Sequence, residues 1–196
     1  MSDLRQQLRG VLRGCVCFVG VGNPEHSDDG FGVYLAEELR AALAPGLPEG
    51  VPDRAPPRSP ASPVEVRPDR SVLPVRARVQ VRLAGISPED HLASLAEGRF
   101  DQVMFLDAVD FGGQPGAVVL LDSNAMAARF PQVSTHRLSL GLLAQGLEQS
   151  RRLRVWLLGV QPASVREGRG LSPVVVATLT LLKSLLLEAT EEVPAC

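Results

Sequence analysis

Lysine is nearly absent from this 196-residue chain: Lys183 is the only one, and arginine supplies the other basic residues. Lys183 lies inside the apolar run L-T-L-L-K-S-L-L-L, which speaks against a catalytic amine. Cysteine is scarce as well. Cys15, Cys17 and Cys196 form no C-x-x-C, and no second pair exists to complete a zinc site. Cys15 and Cys17 stand two apart in a strand-like run, so they are expected to face the same way as small buried residues. Such usage fits a reducing cytoplasm. Neither sign of charge prevails. The formal net charge is -2, which excludes broad attraction to nucleic acid or an anionic membrane. The start M-S-D-L-R-Q-Q-L-R-G has no apolar core of a secretion signal. The longest apolar stretch, 174–187, is broken by Thr, Lys and Ser. It falls short of the roughly 20 residues of a membrane span, so a buried C-terminal helix and no membrane span are expected. H-E-x-x-H, G-x-S-x-G and the P-loop are missing too.

What is present is an ordinary globular composition, 45% hydrophobic and 21% charged. The length suits one domain over 1–196 with a sizeable core. Residues 16–20 read as a buried strand and 31–43 as a helix, with Phe31, Leu35, Leu39 and Leu43 on one stripe. Strand, glycine turn and helix open a βαβ unit. Residues 45–75 break the pattern: Pro, Arg, Ser and Ala dominate, and an irregular surface insertion is expected. Further strands are expected over 79–83, 102–106, 117–121 and 155–160. Helices are expected over 88–97, capped by Ser87, over 136–149, capped by Ser134 and Thr135, and from 172 onward. The alternation predicts a three-layer α/β sandwich with a twisted, mainly parallel five-stranded sheet between helices. The short G-G-Q-P-G turn between the third and fourth strands admits a hairpin there, which would make the sheet mixed. After all these faces are covered, no long apolar stripe remains, so a monomer is expected.

The stretch G-V-G-N-P-E-H-S-D-D-G-F-G, 20–32, follows the first strand. Its glycines suit a phosphate cradle, but Asp28 and Asp29 would repel phosphate. In open α/β sheets ligands bind beyond the carboxyl ends of the strands. Asp29 and Asp107, the latter ending the third strand, would share that rim. Asp28 is expected to cap the following helix. His136 would share a stripe with Leu140, Leu143 and Leu147 and face inward. A helix N-terminus favours its neutral form, which a metal requires. Two carboxylates and a histidine suit a divalent metal such as nickel, zinc or iron. Structural roles for all three stay open: a cap for Asp29, loop bonding for Asp107 and a satisfied core histidine for His136. His26 and His91 are read as surface residues.

Five motifs in order resemble the nickel-iron hydrogenase maturation endopeptidases. They are G-V-G-N-P-x-x-x-D-D-G-F-G, A-G-I-S-P-E-D-H-L, L-D-A-V-D-F-G-G-x-P-G, S-T-H-R-L-S-L and L-G-V-Q-P. The P-E-D-H and G-V-Q-P elements are similar to the branch acting on hydrogenase-3-type large subunits. The resemblance implies an endopeptidase that removes a C-terminal extension from the hydrogenase large-subunit precursor after nickel insertion. It implies that Asp29, Asp107 and His136 contact nickel carried by the substrate, for which other divalent metals may substitute. Asp29 and Asp107 are the catalytic candidates in an aspartyl-protease-like hydrolysis without a covalent nucleophile. Gly22, Asn23 and Gly85 are read as substrate-facing, with a turn role for Asn23 equally open. The family often has Asp-Gly-Gly-Thr after the second strand. Here Leu83-Ala84-Gly85-Ile86 lacks the acid and the threonine. A non-cleaving, metal-dependent chaperone or sensor of the precursor is therefore an alternative. So is a peptidyl-tRNA-hydrolase-like enzyme, which shares G-V-G-N-P.

Overall fold

The computed structural model describes residues 2–43, 78–129 and 139–191. The expected insertion 45–75, the Ser134-Thr135 cap, His136 and Cys196 lie outside the described residues. In chain order the elements are α1 (Ser2–Val11), β1 (Val16–Val21), a 3-10 turn (Ser27–Gly30), α2 (Phe31–Leu43), β2 (Val79–Gly85), a second 3-10 turn (Pro88–His91), α3 (Leu92–Glu97), β3 (Gln102–Ala108), β4 (Val118–Asp122), α4 (Ser123–Arg129), α5 (Leu140–Ser150), β5 (Arg154–Val160) and α6 (Pro173–Glu191).

The strands form one mixed sheet in the order β2-β1-β3-β5-β4. The first four run parallel, and β4 is antiparallel to β5. The sheet is mixed as expected, but not through a hairpin: β5 lies between β3 and β4. The burial pattern explains the order. β3 is buried along Val103–Asp107, as a central strand must be, whereas β4 is half-exposed over Val118–Leu120 and takes the edge. The connection 109–117 is long enough to step over one strand, a displacement of about 10 Å.

Alternation along the strands feeds two cores. Phe18, Met104 and Leu158 pack with Leu8, Leu35, Leu39, Leu182 and Leu186 from α1, α2 and α6, and with Leu12 just after α1. Cys17, Val19, Phe105 and Leu157 pack with Leu95, Met126, Leu143 and Leu147 from α3, α4 and α5. Each fully buried Leu or Phe contributes about 2 kcal/mol through the water it leaves. This is the expected three-layer sandwich. α1 has no counterpart in the sequence reading, although Leu4, Leu8, Val11 and Leu12 mark its inner stripe. Cys15 and Cys17 are buried as expected, and burial pushes the Cys17 thiol up to about 12, against the lowering influence of Arg82.

Three expectations need correction. Ser87 precedes the 88–91 turn but makes no side-chain cap bond; its amide instead donates to the Ala84 carbonyl. α5 begins at Leu140, because Ser139 has an extended backbone and its hydroxyl accepts the Leu142 amide. The helix therefore does not include Ser139. The C-terminal helix has 19 residues and is long and apolar enough, by length and composition, to cross a membrane. In the structure it packs through Val175, Leu182, Leu185, Leu186 and Ala189 but exposes Val174, Val176 and Leu181. Val174 and Leu181 share one side of the helix and Val176 lies nearly opposite them, so the exposed residues form no single long stripe.

Candidate active site

The parallel strands bring the ends of β1, β2, β3 and β5 to one rim. β1 stops where Gly22 takes φ 122°, a conformation open to glycine. Its amide donates to the Gly85 carbonyl at the end of β2 (2.9 Å). A Cβ on Gly22 would stand 1.8 Å from the Asp29 carbonyl oxygen and 3.7 Å from Asp107 Oδ1. Gly22 is thus where the Asp29 turn and the end of β3 close on each other. Gly32 allows a second close approach, since a Cβ there would lie 1.9 Å from the Leu106 carbonyl oxygen. The glycines let helix α2 and its preceding turn sit directly on the ends of β1 and β3.

The two adjacent carboxyl groups of the turn have opposite fates. Asp28 is fully buried and points toward the segment after β5. Its Oδ2 accepts the amides of Ala163 (2.8 Å) and Ser164 (3.0 Å) and the Ser172 hydroxyl (2.9 Å). Its Oδ1 accepts the Ser172 amide (2.6 Å). A carboxylate has about four acceptor positions, and here they are used. Asp28 therefore does not cap α2; it anchors the approach to α6. Asp29 is 8% exposed and accepts one hydrogen bond among the described residues, from the Asn23 amide to Oδ2 (2.9 Å). It keeps acceptor capacity for something else. Asn23 serves the turn with both ends, since its Oδ1 accepts the Glu25 amide.

Asp107 is 4% exposed, and its Oδ1 accepts the Ala108 amide (2.8 Å). The loop after it is organised by Gln161, which is 7% exposed. Gln161 Oε1 accepts the amides of Phe111 and Gly113, and its Nε2 donates to Asp110 Oδ1. The Gln161 side chain, followed by the Gly112 amide, holds the Asp110 carboxyl below the usual range. Glu25 pairs with Arg169, whose Nε donates to Oε2 at 2.9 Å. That bond, and the charge with it, lowers the Glu25 pKa and raises that of Arg169. His26 is exposed, as expected, while His91 is half-buried.

The structure thus brings Gly22, Asn23, Asp29, Gly85 and Asp107 to one rim, as the sequence suggested. His136 lies outside the described residues. No group of three or more His, Cys, Asp or Glu side chains among the described residues is placed to hold a metal. Two oxygen donors, Asp29 and Asp107, are what this part of the chain offers. The roles of Asp28 and Gln161 were missed. A polar residue directly after a buried strand, as Gln161 is after β5, was the available signal.

A sequence model of the hydrogenase maturation protease family, HycI, matches residues 72–189, more than half of the chain. The chain belongs to this family. The match includes Asp107 and ends the case for a peptidyl-tRNA-hydrolase-like enzyme. The hydrogenase 3 maturation protease of Escherichia coli K12 is 31% identical over 78 residues, 40% of this chain and 49% of the relative. This family member therefore spans about half the length of the curated relatives it matches. The expected branch agrees with that relative's name. Among solved structures, the HycI [NiFe] hydrogenase maturation protease from Thermococcus kodakarensis superposes with a TM-score of 0.70 at 24% identity, covering 95% of this chain and 99% of that one. The hydrogenase maturating endopeptidase HybD from Escherichia coli gives 0.63 at 22%, covering 91% and 93%. At these identities the two likenesses speak for the fold.

Proposed function

We propose that this hydrogenase maturation protease family member is a cytoplasmic endopeptidase. It would remove the C-terminal extension of a nickel-iron hydrogenase large-subunit precursor after nickel insertion. The observation that carries the reading is the division of labour between Asp28 and Asp29. One is saturated by backbone donors; the other is held by a single amide beside Asp107, with capacity for a cation. In this reading Asp29 and Asp107 supply oxygen donors to the nickel in the substrate, and His136 supplies the third contact. Cleavage then depends on the metal being in place.

The chemistry asked of the chain is modest. Substrate nickel fixes the scissile peptide over the rim. An oxygen of Asp29 or Asp107 that is not bound to the metal accepts a proton from water as the water oxygen attacks the carbonyl carbon. The C–N bond breaks when the leaving nitrogen takes up a proton, releasing the tail. Gly22 and Gly85 keep the rim low, so an extended substrate chain can approach the backbone. Burial of both carboxyl groups strengthens their interaction with a cation relative to water.

The test is incubation of the purified chain with nickel-loaded and nickel-free precursor, with the tail followed by mass. Cleavage of the loaded form alone is expected. No cleavage of either form, with metal-dependent binding retained, would replace this reading with the chaperone alternative. The exposed Ile86 in the loop without acid or threonine is the feature that would then stand out.

A further inference from the structure

The segment that follows β5 touches both acid-bearing loops, and the two sets of contacts are nearly adjacent in sequence. On one side is the loop after Asp107. It is fixed by the Gln161 side chain, which holds the Phe111 and Gly113 amides and Asp110. Backbone bonds add to this: Val109 N to Val160 O, Gly116 N to Gln161 O and Gln161 N to Ala117 O. On the other side is the turn that carries Asp29. It is fixed by the four bonds to Asp28 from Ala163, Ser164 and Ser172. The Asp28 amide donates in return to the Ser164 carbonyl, and the Ser27 amide to the Gly168 carbonyl.

We propose that residues 161–172 form a single brace that places the two carboxylates relative to each other. Gln161 is the positioning residue for Asp107, and Asp28 is the positioning residue for Asp29. The inference rests on the reading of the site given above and adds what sets its geometry.

Three physical points carry it. The tether to one loop, at Gln161, and the tether to the other, at Ala163, are two residues apart. Two residues span at most about 7 Å, so a shift of one end reaches the other. The residue between them is Pro162, whose ring fixes φ and stiffens the link. And both positioning side chains are buried polar groups, costly to hide unless their partners are in place. Asp28 is fully buried with neutral donors only among its hydrogen-bond partners. A buried acid of that kind is a poor device for stability alone. Its gain is a defined place for the turn.

Two amides report on the carboxylates directly: Asn23 N–H bonds Asp29, and Ala108 N–H bonds Asp107. The experiment follows both in nitrogen-15 spectra of the full chain, with processing kinetics alongside. Asp28→Asn is expected to shift both reporters, Asn23 more. Gln161→Met is expected to shift both, Ala108 more. Each should lower kcat for the precursor about tenfold with KM little changed, because placement and not docking is lost. Pro162→Gly keeps every tether and is expected to weaken the cross-effects. If Asp28→Asn does not fold, Ser172→Ala removes one donor and takes its place. Reporters that move only within their own loop would overturn the brace, whatever the activity. Coupled reporters with fully active Asp29→Asn and Asp107→Asn would keep the brace and remove the reading of the site.

Discussion

At the amino ends of the strands, Asp101 Oδ2 accepts the Cys15 amide (2.7 Å), and the Asp101 and Gln102 amides donate to the Cys15 carbonyl. Glu148 accepts the Val155 amide and the Ser123 hydroxyl. These acids join neighbouring elements to one another. At the carboxyl ends the same residue types are divided. Asp28 joins elements, while Asp29 and Asp107 stand on either side of Gly22. Among these acids the number of hydrogen-bond donors around a carboxyl group differs between neighbours in sequence, four at Asp28 against one at Asp29, so residue type alone does not decide what holds it. Parallel sheets favour this outcome, since their loops converge at the carboxyl ends.

The comparison can be broken most sharply by paired substitutions. Asp29→Ala and Asp107→Ala are each expected to lower precursor processing about 100-fold or more while leaving the melting temperature nearly unchanged. Asp101→Ala should do the reverse, costing about 1–2 kcal/mol in denaturant unfolding with processing retained. Loss of processing in Asp101→Ala at full stability would erase the distinction between the rims.

Glycines offer a second contrast. Gly22→Ala drives a Cβ into the Asp29 backbone, whereas Gly14→Ala meets the Asp101 carboxyl, a side chain that can move only by giving up its bond to the Cys15 amide. Both carry positive φ. Expected are loss of processing in the first and, in the second, a stability loss of about 2–3 kcal/mol, larger than that of Asp101→Ala, without loss of processing. Circular dichroism melts and the mass assay separate the two.

A smaller effect concerns Cys17. Its folded pKa, about 12, lies above the ordinary 9.0 because burial disfavours the thiolate. The stability this provides is complete below pH 9 and is lost as pH rises toward 12. Iodoacetamide at pH 8 should therefore leave Cys17 unmodified in the folded chain and modify it in urea, as read by peptide mass. Modification at equal rates would show that β1 is not held as described. The smallest effect is at Asp110. Its folded pKa is lowered, so its contribution is present above its ordinary value of 3.8 and fades as pH falls through the lowered one. The protection of the Phe111 and Gly113 amides, measured against their intrinsic exchange rates, should fall only in that acid range. Protection already lost near neutral pH would detach Asp110 from the Gln161 cluster.

Much of this was legible beforehand because buried periodicity is a local property. α2 runs over Phe31–Leu43, where the stripe Phe31, Leu35 and Leu39 placed it, and the acid ends of β1 and β3 follow from buried runs. Strand pairing is not local, and the hairpin expected between β3 and β4 gave way to β5. The sorting of Asp28 from Asp29 was equally hidden. It depends on Ala163, Ser164 and Ser172, more than 130 residues away in sequence. Ser139 also shows the limit of pattern reading: a continuous apolar spacing across it did not disclose an extended N-cap.

The position of β5 has a consequence for how the molecule is made. β3 and β4 are complete before β5 is synthesised, yet they are neighbours of β5 and not of each other. A nascent chain that zipped β3 to β4 would have to separate them again. The long-range pairings that replace that local one are slow to form. Until they do, neither acid-bearing loop has its partners from the segment that follows β5. A chain made only as far as β4 therefore lacks the contacts that Gln161, Ala163, Ser164 and Ser172 give to the two loops.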